Sequence, residues 1–213
     1  MDIGSVSKNT QNMNKYVGVM AELKLRTHVI GMFLSGQQNA VYKASNIETV
    51  GLQFRKVFEL IVFASLTAHK ELYSAVYSDF AKHWEAAKLV KRLREINPQF
   101  YPEPVIQVPS NKPGVKMDLT SRQPDYLTAE SLIDAHGRCG SLMHAANPYG
   151  RETDYAFFEA SFPGWLSKTV NLLNAHLVHL PGDTGFYLVQ MGREDHPSWT
   201  PFAPRSVDKQ GEA

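Results

Sequence analysis

The sequence predicts a mainly α-helical protein, an antiparallel up-and-down helical bundle with a small C-terminal β-hairpin. Apolar residues recur at spacings of three and four over several long segments, which is the period of a helix with one buried face. Clear alternation occurs in "HLVHLPGDTGFYLVQMG", around the turn signal "PGDTG". Hydrophobic residues make up 43% of the chain and charged residues 20%, which is sufficient for a packed core.

Three regions follow from this pattern: a flexible polar arm at 1–12, a helical bundle at 13–180, and a hairpin appendage and tail at 177–205. The first residues lack the apolar run of a signal peptide. The single cysteine, Cys139, excludes an internal disulfide framework and is typical of a reducing compartment. We therefore expect a cytoplasmic protein.

Charge and hydropathy limit the possible partners. The chain has 22 Lys and Arg against 21 Asp and Glu, so a nucleic acid would have to be bound by a local patch. No stretch approaches the roughly 20 apolar residues that span a bilayer, and we expect no membrane partner.

The first two helices are predicted at 16–34 and from Asn46 to about Ser65. Gly36 ends the first, and Asn46 is a good N-cap for the second. The second is apolar nearly all round, so it should be central. A third helix begins at Ser78 or Asp79 and ends at Asn97.

The outward face of the third helix carries three cations at helical spacing, Lys88, Lys91 and Arg92. The simplest interpretation is a solvated face. The alternative is a face that contacts phosphates of RNA.

Residues 98–126 contain six of the twelve prolines, so we predict a long loop with a short extended piece at Val105–Val108. A fourth helix follows from the cap Thr128 to a stop at Pro148. A fifth covers 154–176, with a kink or a new first turn at Pro163. The β-hairpin comes next, and the tail after Pro201 is predicted to be irregular.

The stretch "HGRCGSLMHAANPYG", residues 136–150, contains the candidate site. On an ideal helix Arg138 and His144 are separated by a rise of about 9 Å and a rotation of about 240°, so they do not share a face. They can converge only if the helix distorts near Gly137 and Gly140, or if two copies of the chain meet across a two-fold axis.

The residue types suit cleavage of RNA without a metal ion. An imidazole can move the proton of the 2′-hydroxyl or of the leaving group, and a guanidinium can hold the scissile phosphate. In the last helical turn, His144 would be favoured in its protonated form by the helix dipole. The amide of Asn147 can orient phosphate or imidazole.

An arginine, a gap of four to six residues and a histidine near a helix end in an all-helical bundle resembles the HEPN superfamily. Its active members are metal-independent ribonucleases. The segment "FRKVFELIVFASL" is similar to the central HEPN helix with its basic and acidic pair, here Arg55 or Lys56 with Glu59. The resemblance covers about 47–191.

The resemblance implies a homodimer whose two motif helices meet, with Arg138 and His144 of both copies lining one RNA cleft. It implies catalytic roles for these two residues, no metal and no cofactor. It also implies a place in a defence or toxin system, where an antitoxin or other protein is a possible partner. Active members usually have a polar residue after the arginine, whereas this chain has Cys139.

Several alternatives stay open. One is a non-catalytic HEPN-like module that binds a protein, a nucleotide or a nucleic acid, which Cys139 favours. Another is a protein whose hairpin and loop bind nucleic acid without cutting it. Arg138 and His144 can also be a capping arginine and a helix-end histidine bonded to backbone.

Other residues have simpler interpretations. Cys139 with His136 three residues before it can form a nucleophile and base, but a buried small side chain is the expected role. Arg55 and Lys56 most simply form an intrahelical ion pair with Glu59, and a role in orienting the histidine or contacting RNA is the alternative. No carboxylate spacing completes a metal site from His136, Cys139 and His144, or from His176 and His179.

Overall fold

The computed structural model describes residues 3–68, 86–122, 125–145, 147–150, 152–180, 184–192 and 196–203. Over these residues the protein is α/β, with a layer of helices packed on one five-stranded antiparallel sheet. The prediction of a mainly α-helical bundle with a small hairpin is therefore wrong. Helices contribute most of the residues, but the sheet forms the second layer of the fold.

The elements follow in chain order. The helices are α1 (Ile3–Leu34), α2 (Lys43–Ala68), α3 (Ala86–Ile96), α4 (Ala129–Gly140), a short 3₁₀ turn (Ser141–Met143) and α5 (Tyr155–Leu173). The strands are β1 (Glu103–Pro109), β2 (Met117–Ser121), β3 (Ala175–Val178), β4 (Phe186–Gln190) and β5 (Ser198–Phe202).

The helical core is built on α1 and α2, which pack along each other. The buried side of α1 follows the helical period with fully buried Met13, Tyr16, Met20, Leu23 and Ile30. Helix α2 is buried along most of its length, so its predicted central position is confirmed. Its aromatic rings continue into α5, where Phe54 stacks on Phe162 at 5.2 Å.

The helix boundaries differ from the predictions at several places. Helix α1 begins at Ile3, so the residues predicted as a flexible arm are helical from that point. Helix α4 ends at Gly140 instead of continuing to Pro148. Helix α5 is continuous through the exposed Pro163, so the alternative of a new first turn at this residue is wrong. The predicted start of the third helix, at Ser78 or Asp79, lies outside the described residues.

The sheet has the order β2-β1-β3-β4-β5. The predicted hairpin is confirmed as β3 and β4, which pair in the register Leu177↔Leu188. It is not an appendage, because β1 pairs with β3 on one side and β5 pairs with β4 on the other. The tail predicted to be irregular contributes β5.

The proline-rich segment predicted as a loop forms β1 and β2, of which the extended piece at Val105–Val108 is a part. Two prolines fit the ladder because of their positions. Pro109 is opposite Met117 and lies beyond the part of β1 that pairs with β3. Pro104 takes part in the ladder through its carbonyl, which accepts the N–H of Arg122 at 3.0 Å. Prolines signal a loop in sequence, but strand ends and edges tolerate them.

The two faces of the sheet bury different side chains. Val178, Tyr187 and Val189 join the helical core, where α5 packs on β1 and β3 and α1 contacts β5. The opposite face has its own apolar cluster, in which Val105, Leu177 and Leu188 are buried with Leu119, Ala175 and Phe186 beside them. The helices therefore cover one face of the sheet.

A buried polar pair links the two layers. Tyr16 on α1 donates its hydroxyl to His176 Nε2 on β3 at 2.8 Å, and His176 Nδ1 donates to the carbonyl of Leu173 at 2.9 Å. Both ring nitrogens are thus used, and the imidazole is neutral. Burial lowers the pKa of His176 from 6.5 to about 4, partly offset by the bond to Leu173.

We expect stability to fall at mildly acidic pH because of His176. Its folded-state pKa lies below the unfolded value, so the unfolded chain binds the proton more tightly. The contribution is complete above pH 6.5 and is lost as the pH falls towards 4, by about 3 kcal/mol in total. Urea unfolding across this range should show a smaller loss in His176→Gln than in the wild type. The exposed histidine variant His28→Gln is the control, and an equal loss in all three proteins would contradict this role.

We also expect Gly185→Ala to destabilise the sheet. A Cβ at Gly185 would meet the backbone carbonyl of Phe202, so β4 and β5 would have to separate. The expected cost is about 1–3 kcal/mol in the free energy of unfolding. Gly18→Ala is the control, because open space surrounds Gly18 in α1 and alanine favours the helix. Equal urea midpoints for Gly185→Ala and the wild type would show that this contact is unimportant.

Candidate functional site

The candidate site lies where α4 ends. Thr128 caps the helix by accepting the N–H of Ser131, and the last turn closes on Ser141, whose N–H donates to the carbonyls of Arg138 and Cys139. The 3₁₀ turn follows, and His144 is extended with φ −126° and ψ 147°. The change of backbone conformation after Gly140 means that Arg138 and His144 do not belong to one straight helix.

Arg138 is held on the surface of the helix. Its Nε donates to Asp134 Oδ2 at 2.8 Å, and its guanidinium lies 4.8 Å from the ring centroid of Phe157 on α5. The Arg138 side chain is 49% exposed, so the ion pair contributes well under about 1 kcal/mol. The two contacts orient the guanidinium and leave it accessible to solvent.

His144 is exposed and lies outside the helix. The prediction that it occupies the last helical turn is wrong, because α4 ends at Gly140 and the 3₁₀ turn ends at Met143. The argument that the helix dipole favours its protonated form therefore does not hold. Its accessibility to a substrate is consistent with the predicted role.

Asn147 builds a turn. Its Oδ1 accepts the N–H of Tyr149 at 3.0 Å, and its carbonyl accepts the N–H of Gly150 at 2.8 Å. The amide oxygen is therefore engaged within the chain, while a phosphate or imidazole contact stays a prediction. The turn presents the ring of Tyr149, which is 99% exposed.

The acidic residue of α2 contacts a different histidine from the one expected. Arg55 Nε lies 3.3 Å from Glu59 Oε1, which confirms the intrahelical ion pair, and the same oxygen lies 3.1 Å from His136 Nε2. His136 is buried. Glu59 thus joins α2 to α4 through His136, and Lys56 is exposed on the outer side of α2.

Gly51 allows the 3₁₀ turn after α4 to lie close to α2, whereas Gly140 leaves room for a Cβ. A Cβ at Gly140 would lie 3.4 Å from the guanidinium of Arg55, and one at Gly51 would meet the side chain of Leu142. Sequence reasoning named Gly140 as a point where the helix could distort. It missed the pairing of His136 with Glu59, for which the buried helical position of His136 was the available signal.

The cations of α3 are exposed, as the solvated-face interpretation predicts for Lys88, Lys91 and Arg92. Arg92 pairs with Glu95 in the same helix at 2.9 Å. The neighbouring Arg94 pairs with Glu130 in the first turn of α4, at the other end of that helix from Arg138. The structure gives no contact that brings the α3 cations to the end of α4 within the described residues.

The described residues form no cluster of metal ligands. The described part of the chain contains no group of three or more His, Cys, Asp and Glu side chains suited to a metal ion. His176 uses both ring nitrogens in the core, and His179 pairs with Glu103 at 3.2 Å. None of the helices in the described residues is both long and apolar enough to cross a membrane.

We expect Cys139 to be unreactive in the folded protein. Its side chain is buried, and desolvation raises the pKa of the thiol to about 12, against the opposing effect of Arg55. A thiolate is needed for nucleophilic attack. Folded protein should react slowly with a thiol reagent at neutral pH, and protein in concentrated guanidinium chloride should react fully. Rapid labelling of the folded chain would revive the nucleophile interpretation.

No family model matches the chain, and neither does any curated protein or solved structure. The resemblance to the HEPN superfamily stays a prediction.

Proposed function

We propose that the end of α4 binds the phosphodiester backbone of RNA, and that His144 takes part in cutting it without a metal ion. The observation that carries the proposal is the exposure of Arg138 in the last turn of α4 and of His144 just after the 3₁₀ turn that follows. A straight helix would have turned them apart. His144 lies in extended backbone after the 3₁₀ turn, so the geometry of an ideal helix does not apply to it.

Arg138 is the phosphate-binding residue of this proposal. A guanidinium offers several N–H donors, and the contact of Nε with Asp134 leaves the terminal nitrogens to meet a ligand. The ring of Phe157, which the guanidinium contacts, limits the movement of the Arg138 side chain. A cation held in this way loses less conformational entropy when a phosphate binds.

His144 supplies the proton transfer. The 2′-hydroxyl of RNA attacks the neighbouring phosphorus as it loses its proton, the bond to the 5′-oxygen breaks, and that oxygen gains a proton. An imidazole can accept the first proton or donate the second. The products would be a 2′,3′-cyclic phosphate and a free 5′-hydroxyl.

A second candidate is a binding module without catalysis, which recognises RNA, a nucleotide or a protein such as an antitoxin. The pairing of Arg138 with Asp134 favours it, since the carboxylate lowers the local positive charge. The use of the Asn147 oxygen in a turn favours it as well. The homodimer with two α4 helices in contact stays a prediction. Within one chain, α4 already buries Leu132, Ala135 and Cys139.

The test compares RNA cleavage and RNA binding in the presence of EDTA. We expect wild-type protein to produce 2′,3′-cyclic phosphate ends and His144→Gln to cut at least about 100-fold more slowly while binding RNA equally well. Arg138→Ala should weaken binding and lower the salt dependence by roughly one phosphate contact. His28→Gln is the matched histidine control on α1.

The outcomes separate the two candidates. Binding that depends on Arg138 without any cleavage would support the module and overturn the nuclease. Neither binding nor cleavage, or cleavage unchanged in both variants, would overturn the assignment of this surface to RNA.

A further inference from the structure

The two edges of the sheet differ in how they are protected. At one end, β5 contains Pro201, which has no N–H to offer another strand. At the other end, β2 has the sequence "MDLTS", without proline or lysine, and pairs with β1 alone within the described residues. Natural proteins usually block such edges with proline, lysine or a bulge. Among the residues that the structure describes, the edge of β2 is therefore open.

The ladder shows which backbone groups of β2 point outward. Arg122 N donates to the carbonyl of Pro104 at 3.0 Å, and Ser110 N donates to the carbonyl of Lys116 at 3.2 Å. In an antiparallel pair such residues alternate with residues whose N–H and C=O point away from the partner. Met117, Leu119 and Ser121 thus direct their backbone groups away from β1.

We propose that this edge pairs with β2 of a second copy of the chain, antiparallel across a two-fold axis, so that the two sheets become one. A two-fold axis allows the same residues to serve both copies. Leu119 of each copy would exchange both backbone hydrogen bonds with Ser121 of the other. Main-chain pairing of this kind is an established mode of association between sheet edges.

Charge selects this register over its neighbours. Placing Leu119 opposite Ser121 brings Asp118 opposite Arg122 of the second copy, and the axis repeats that attractive pair. A shift that places Leu119 opposite itself would bring Lys116 of one copy opposite Arg122 of the other, and both side chains are cations. A further shift in the same direction would oppose the two Asp118 carboxylates, and a shift the other way would place Ser121 opposite itself and lose the pair of Asp118 with Arg122. Like charges directly opposite each other destabilise a sheet.

Apolar side chains support the same arrangement. Met117 is 45% exposed, and Leu119 borders the apolar cluster on the sheet face away from the helices. Joining the edges would bring these side chains of both copies together on one continuous face. A strand edge buries less than the roughly 1,200 Å² of a standard stable interface, so the dimer should depend on protein concentration. It does not involve α4, and it can hold or fail independently of the proposed function.

The experiment measures self-association of the full chain by sedimentation velocity over a range of concentrations. Ser121→Pro removes an outward N–H for which the described part of the chain shows no acceptor, and should weaken the dimer by about 10-fold or more. Ser121→Ala keeps that N–H and is the matched control, which should associate like the wild type. Circular dichroism and the urea midpoint establish that both variants are folded.

Hydrogen exchange supplies the second measurement. In the dimer the amides of Leu119 and Ser121 should exchange slowly, and they should become fast on dilution or in Ser121→Pro. A wild-type chain that stays monomeric, or a dimer unaffected by Ser121→Pro, would overturn the proposal. Slow exchange of these amides in a monomer would place another segment on the edge and would also overturn it.

Discussion

The hydrogen bond between Tyr16 and His176 is the constraint on which the two layers depend. It joins the longest helix to the middle strand of the sheet, and both partners are fully or almost fully buried. A buried polar group without a partner costs about 1–3 kcal/mol, so the two elements can meet in few other ways. Because His176 also donates to Leu173 at the end of α5, the same imidazole fixes the connection from α5 into β3.

The candidate site is supported by the helical layer. Helix α4 packs against α2 and α3, and the partly buried contact of Glu59 with His136 ties it to α2. This attachment turns Cys139 inward and Arg138 outward on the same helix. The chemistry we propose therefore uses the exposed side of α4, whose buried side packs against α2 and α3.

Sequence patterns predicted local features well, but they predicted contacts between distant elements of the chain poorly. The buried period of α1, the central place of α2, the β3 and β4 hairpin and the ion pair of Arg55 with Glu59 all depend on residues near each other in the chain. Strand β1 also pairs with β3, which is far away in sequence, whereas β2 and β5 pair with the strands next to them in the chain. Prolines in β1 suggested a loop, since the sequence does not show which ladder positions need an N–H.

By itself, the sequence determined where most helices form, because a period of 3.6 residues is a property of each segment. It also drew attention to Arg138 and His144 by their chemistry. Only the tertiary structure decided that a five-stranded sheet is present, that Glu59 contacts His136, and that α4 ends at Gly140. The pairing of β1 with β3 and the contact of Glu59 with His136 join distant residues, so their free energy exists only once the chain has folded.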